Sequence, residues 1–206
     1  MQRERNHETT KKKRRRSVLL AVAVTLAVIA LTVTLLLLLL PEDQAPTDPS
    51  GGSTVFYPPY DGDVRENGAY LALDRQFYLC DPDFGSREAI DDGQFAANAE
   101  LALLRDYINS LIDGYPNAWR SLFTASALDA SPIPDFEQQM IYRVEISRVS
   151  QEVSGGEKRV TYSLSYMIYR NNGTYRRDVG SNAVRPEYLT LLEVSEGDYR
   201  IDGLRR

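Results

Sequence analysis

VTYSLSYMI, Val160 to Ile168, alternates strictly. Val160, Tyr162, Leu164, Tyr166 and Ile168 fall on one side, and Thr161, Ser163, Ser165 and Met167 on the other. A period of two sends the two sets to opposite faces of an extended chain, so this run predicts a long amphipathic strand with one face against a core. Met140 to Ser150 has the same character, and Gly155-Gly156 joins the two runs. On the far side, Asn171-Asn172-Gly173 tolerates positive φ and predicts a hairpin turn, with Thr174 to Val179 returning as a strand. Tyr188 to Val194, the turn Ser195-Glu196-Gly197-Asp198 and Tyr199 to Leu204 predict a last hairpin.

Before Pro134 the apolar period is helical. In Gln94 to Asp113, residues Ala97, Leu101, Leu104, Ile108 and Leu111 recur at spacings of four and three, which puts them on one stripe. Leu103, Tyr107 and Ile112 widen that stripe. Asp91 and Asp92 suit the positive N-terminal end of this helix, and Gly114 suits a left-handed stop. Pro116 then opens a second helix with Trp119, Leu122, Phe123 and Ala127 on its apolar side, and Ser131-Pro132-Ile133-Pro134 ends it. Asn67 to Asp81 reads as a short strand or a lead-in segment. Helices followed by a meander predict an α+β domain, a curved antiparallel sheet with helices on one face.

Ahead of this domain the chain changes character. Ser17 to Leu40 carries no charge over 24 residues, ten of them Leu and five Val. As a helix, at about 1.5 Å per residue, the run exceeds the roughly 30 Å hydrocarbon core of a bilayer, so it predicts a transmembrane helix. Residues 1–16 hold eight basic residues, including Lys11, Lys12, Lys13, Arg14, Arg15 and Arg16, against Glu4 and Glu8. That flank is +6 while the rest of the chain is −11, so the N-terminus is expected in the cytoplasm and the C-terminal domain outside the cell. A cleaved signal peptide has a shorter apolar core of about 7–15 residues. The basic run abuts the apolar helix, which makes it a topology determinant, and one that also suits anionic lipid, rather than a nuclear patch. Pro41 to Pro59 contains five of the ten prolines, and residues 41–65 are expected to form a flexible acidic stalk on which Val55-Phe56-Tyr57 is apolar enough to dock on the domain. The resulting organisation is a basic tail over 1–16, a membrane helix over 17–40, a stalk over 41–65 and an extracytoplasmic domain over 66–206.

The element order over about 90–204, closed by GDYRIDGL (Gly197 to Leu204), resembles the nuclear-transport-factor-2-like (cystatin-like α+β) superfamily. The resemblance implies a cone-shaped half-barrel with the long helix lying in the curved sheet and an apolar pocket between them. That fold serves enzymes such as ketosteroid isomerase as well as non-catalytic binding modules. With its basic tail, single helix and stalk, the chain also looks like the bitopic assembly subunits of conjugation and type IV secretion machines, and like uncharacterised Gram-positive surface proteins.

All 13 tyrosines follow the apolar run. Tyr107, Trp119, Phe123, Tyr142, Tyr162 and Tyr166 are the candidate pocket-lining residues. In an isomerase-like site a tyrosine hydroxyl donates to a developing oxyanion while a carboxylate moves a proton. The face from Val160 to Ile168 has no acid, however, and Glu145 falls among Arg143 and Ser147 on the expected solvent face. Aromatic residues also fill half-buried strands for packing reasons alone. The single histidine, His7, lies ahead of the membrane segment, and Cys80 is the one cysteine. Neither imidazole chemistry in the domain nor a cysteine zinc site is therefore available. Asp61-Gly62-Asp63 and Asp81-Pro82-Asp83 fall short of a calcium loop, and Asn172-Gly173-Thr174 matches a glycosylation acceptor that the turn already explains. No catalytic residue, metal or cofactor is assigned, and an exterior of −11 opposes nucleic acid. The expectation is a membrane-anchored interaction or assembly module with the bilayer and a protein partner, or a second copy, as its partners. The alternative is a small apolar ligand-binding protein or a tyrosine–carboxylate acid–base enzyme using the cone pocket.

Overall fold

The computed structural model describes residues 55–81, 85–130 and 135–206. The basic tail, the apolar run 17–40, most of the stalk and the Ser131–Pro134 break lie outside the described residues, and no helix among the described residues is long and apolar enough to cross a membrane.

The fold is α+β. Its helices are α1 (Gly68–Leu71), α2 (Asp92–Ala97), α3 (Ala99–Asp113), α4 (Pro116–Arg120) and α5 (Ala125–Ala130). Its strands are β1 (Phe77–Asp81), β2 (Ser86–Ala89), β3 (Met140–Ser154), β4 (Glu157–Tyr169), β5 (Glu187–Ser195) and β6 (Asp198–Arg205). They form one curved six-stranded sheet in the order β2-β1-β3-β4-β5-β6. The sheet is mixed rather than wholly antiparallel, because β1 lies parallel to β3, with Phe77 opposite Val144 and Leu79 opposite Ile146. The lead-in segment thus supplies both a helical turn and a strand. Register shifts at Tyr142/Glu145, Arg148/Ser150 and Thr190/Leu191 add residues to one strand of a pair, which bends the sheet. At the first of these Arg143 takes φ 52° and its N–H turns to Asp74 O at 2.7 Å.

The long helix expected over Gln94 to Asp113 is two helices. Asn98 leaves helical geometry (φ −131°, ψ 105°) and its Oδ1 accepts from Leu101 N, capping α3. An asparagine side chain that satisfies an orphan N–H makes a new helix start inside an apolar period that would otherwise run on. Asp91 and Gln94 form a reciprocal capping box on α2. Leu104, Ile108 and Leu111 on α3 are fully buried, each worth about 1.5–3 kcal/mol relative to exposure. Gly114 stops α3 at φ 66°, and a Cβ there would stand 2.6 Å from Gln138 N.

The second expected helix also divides. Between α4 and α5, Leu122 and Thr124 leave the helix to pair with the outer edge of β6: Ile201 N donates to Leu122 O and Thr124 N to Ile201 O, both at 2.9 Å. An otherwise open strand edge takes precedence over one more helical turn. The core is closed by rings: Trp119 lies 4.3 Å from Phe123, 5.5 Å from Tyr107 and 5.9 Å from Tyr175, centroid to centroid.

The hairpin expected at Asn171-Asn172-Gly173 is absent, and Thr174 to Val179 is not a strand. Asn171, fully buried, donates through Nδ2 to Arg176 O and Val179 O, and accepts at Oδ1 from Gly173 N. One side chain thereby gathers the following residues into a loop that takes the place of a strand ladder. Part of the expected stalk also packs on the domain: Tyr57 N donates to Asn171 O, the Phe56 ring covers Gly173, and Val64 is buried in the core.

Candidate functional site

Two buried carboxylates organise the polar interior, and neither was among the candidate residues. Glu187, the first residue of β5, is completely buried. Its Oε2 accepts from Tyr107 Oη on α3 at 2.8 Å and from Tyr166 Oη on β4 at 3.0 Å. Its Oε1 accepts from Arg206 Nε at 2.8 Å, lies 3.1 Å from Arg176 Nη1 and has the Tyr175 hydroxyl 3.4 Å away. Tyr107 and Tyr175 are also hydrogen-bonded to each other through their hydroxyls. Two strands, the long helix and the loop around Asn171 thus converge on one carboxylate. Burial, and next the negative charge of Glu187, hold Tyr107 and Tyr166 well above the ordinary tyrosine pKa, and the same two causes raise Tyr175. All three remain hydrogen-bond donors across the physiological range.

A carboxylate offers about four lone-pair sites, and four donors fill them here: Tyr107 and Tyr166 on Oε2, and Arg206 and Arg176 on Oε1, with Tyr175 giving its one proton to Tyr107. Arg176 is as buried as its partner and is braced from behind by Asp178, which receives Nε at 2.6 Å and Nη2 at 2.7 Å. Glu187 is therefore a saturated anchor that holds β5 to α3 and the loop.

Glu100 forms the second cluster, on the first turn of α3. Tyr162 Oη donates to its Oε2, Arg148 Nη2 donates to the same oxygen at 3.1 Å, and Lys158 Nζ reaches Oε1 at 3.0 Å. Burial pushes the Glu100 pKa up, but the hydrogen bonds from Tyr162, Lys158 and Tyr199 outweigh it, and the carboxyl sits below its ordinary range. Burial and the Glu100 contact push Tyr162 up to about 12. Beside this cluster is a hollow of about 440 Å³ lined by Leu79, Cys80, Arg148 and Tyr162. Cys80 is a free, half-buried thiol whose pKa burial raises, with Glu145 adding to the effect.

Tyr107, Trp119, Phe123, Tyr162 and Tyr166 are all buried in the core, but the tyrosines among them meet two different carboxylates, Tyr107 and Tyr166 on Glu187 and Tyr162 on Glu100. Tyr142 stands apart: it pairs with Met167 on the other face, and its hydroxyl donates to the exposed Asn182 at 3.2 Å. Lys11, Lys12, Lys13, Arg14, Arg15 and Arg16 lie outside the described residues. Asp63 is a turn cap, accepting from Arg65 N at 2.8 Å and Gln138 Nε2 at 3.3 Å. The Asn172 amide is spent on Gln138 O, Gln139 Nε2 and Thr174. Compared with known protein families, curated proteins and solved structures, the chain matches none.

Proposed function

We propose that this chain is a single-pass membrane protein, N-terminus inside, whose α+β domain works outside the cell as a non-catalytic assembly module for a partner protein or a second copy of itself. The observation that carries this reading is the saturation of Glu187. A general base must have a lone pair to offer, and the carboxylate facing Tyr107 and Tyr166 already accepts from both of those hydroxyls and meets two guanidiniums. The close packing of the Trp119, Phe123, Phe136 and Tyr175 rings supports an interior filled by side chains. The uncharged run Ser17 to Leu40 with its +6 flank supports the anchor and its direction. At the far end of the β3–β4 hairpin, Val149 and Val153 are 55% and 69% exposed, the kind of apolar surface a partner covers.

The test is crosslinking of intact cells with a membrane-impermeant reagent, followed by mass spectrometry of the adducts. The expected result is a defined species larger than the monomer, joined through the domain. Monomer alone, or a domain that the reagent never reaches, would overturn the reading.

A further inference from the structure

The loop that Asn171 gathers has a second side, which faces solvent. Between it and the end of β6 is a cleft of about 470 Å³ whose walls include Tyr175, Arg177, Asp178, Arg185 and Arg206. We infer that this cleft is a binding site for a soluble phosphorylated small molecule.

The charge balance comes first. Counting side chains, the cleft and its immediate supports hold five arginines, Arg120, Arg176, Arg177, Arg185 and Arg206, against Asp135, Asp178 and Glu187, a side-chain excess of +2. The chain beyond the apolar run is −11, so this is an inverted patch in an acidic domain. A charged concavity with low-dielectric walls focuses its field outward. Each acid near the cleft is already answered. Asp135 receives Arg120 Nη2 at 2.6 Å, Asp178 receives the forked guanidinium of Arg176 and lies 3.2 Å from Arg185, and Glu187 is held from inside the domain.

The arginines are not answered in the same measure. Arg177 hydrogen-bonds through Nε alone, to Gly173 O at 3.1 Å, and Arg206 is tied through Nε to Glu187 and to the Tyr175 side chain. The terminal nitrogens of Arg177 make no hydrogen bond among the described residues. Both side chains are fixed at the Nε end, and the Arg206 guanidinium lies over the Tyr175 ring, 4.5 Å from its centroid. Preorganised planar forks of this kind suit tetrahedral oxyanions. The volume exceeds what inorganic phosphate fills and falls in the range of small-molecule sites, about 300–1,000 Å³.

The experiment is calorimetric titration of the full chain in detergent micelles with sodium pyrophosphate at low ionic strength, with emission of Trp119 followed in parallel. Trp119 is the single tryptophan and lies 5.9 Å from Tyr175, beneath Arg206. The expected result is saturable binding that weakens with added salt and falls about tenfold in Arg177→Gln, with the charge-matched Arg200→Gln unchanged. Unaltered thermal unfolding of Arg177→Gln keeps the loss assignable to the site. Four results would overturn the inference: no saturable heat, equal weakening by Arg200→Gln, tighter binding of citrate than of pyrophosphate, or binding only to phosphatidate vesicles.

Discussion

Glu187→Gln is nearly isosteric and strikes the hub of the fold. The wild-type carboxylate takes two hydroxyls on Oε2 and two guanidiniums on Oε1. Glutamine keeps one oxygen and replaces the other with an amide nitrogen, itself a donor. Whichever way the amide turns, at least two donors lose their acceptor, and the buried Arg176 loses one of its two counter-charges. Leaving a buried charge short of its partner costs about 3–5 kcal/mol, and each stranded hydroxyl about 1–3 kcal/mol. Hydroxyls can rotate toward the remaining oxygen, so we expect a total of about 3–5 kcal/mol. For a domain of this size that lowers Tm by roughly 6–20 °C. Urea unfolding followed by Trp119 emission measures it, since Trp119 packs on both Tyr107 and Tyr175. Adding Arg176→Met to Glu187→Gln removes the orphaned charge, so the double variant should lose less than the sum of the single changes. A Glu187→Gln protein within about 1 kcal/mol of wild type would refute the account of Glu187 as an anchor, given the magnitudes above.

Two further changes probe the second carboxylate and the close approach at the end of α3. The Glu100 carboxyl is held below its ordinary pKa of 4.5, so it adds stability that is present above that value and lost as the pH falls through its lowered folded value. Urea midpoints measured from neutral pH to pH 3 should therefore fall more steeply for wild type than for Glu100→Gln, and parallel curves would count against the Tyr162–Lys158 cradle. Gly114→Ala places a Cβ 2.6 Å from the backbone nitrogen of Gln138 in a residue with φ 66°. It should cost about 2–4 kcal/mol, more than the left-handed conformation alone would exact, and a thermal melt unchanged from wild type would refute the close approach.

Much of the fold is legible along the chain. The alternation from Val160 to Ile168 gives β4, the Gly155-Gly156 pair gives its turn with β3, and Gly114 with Pro116 marks the junction of α3 and α4. Asn98, Leu122 and Thr124 were harder to read, because their roles depend on a local cap and a distant strand edge that compete with an unbroken helical period. Asn171-Asn172-Gly173 has the composition of a hairpin, yet a buried amide with three backbone partners wins. The two carboxylates were within reach of the same periodicities. Glu187 shares its strand face with Leu189 and Leu191, and Glu100 falls four residues before Leu104 on the helical stripe. An acid on an apolar register announces a buried partner, and here the partners lie far off in sequence, as Tyr107, Arg148, Tyr162 and Arg206 show.

The segment that leads into the domain meets it at one pole. Tyr57 N and Tyr60 Oη both bond the backbone just past the end of β4, at Asn171 and Arg170. The thirteen residues of β4 run from there toward the opposite pole, a stand-off of about 40 Å at the usual rise of a strand. Val153 and the double-glycine bend ride at that remote tip. A binder that grips the tip is held at arm's length from Tyr57 and Tyr60, and one small enough to sit near Tyr57 cannot touch the valines. The two ends of the domain are thus free to answer to different visitors.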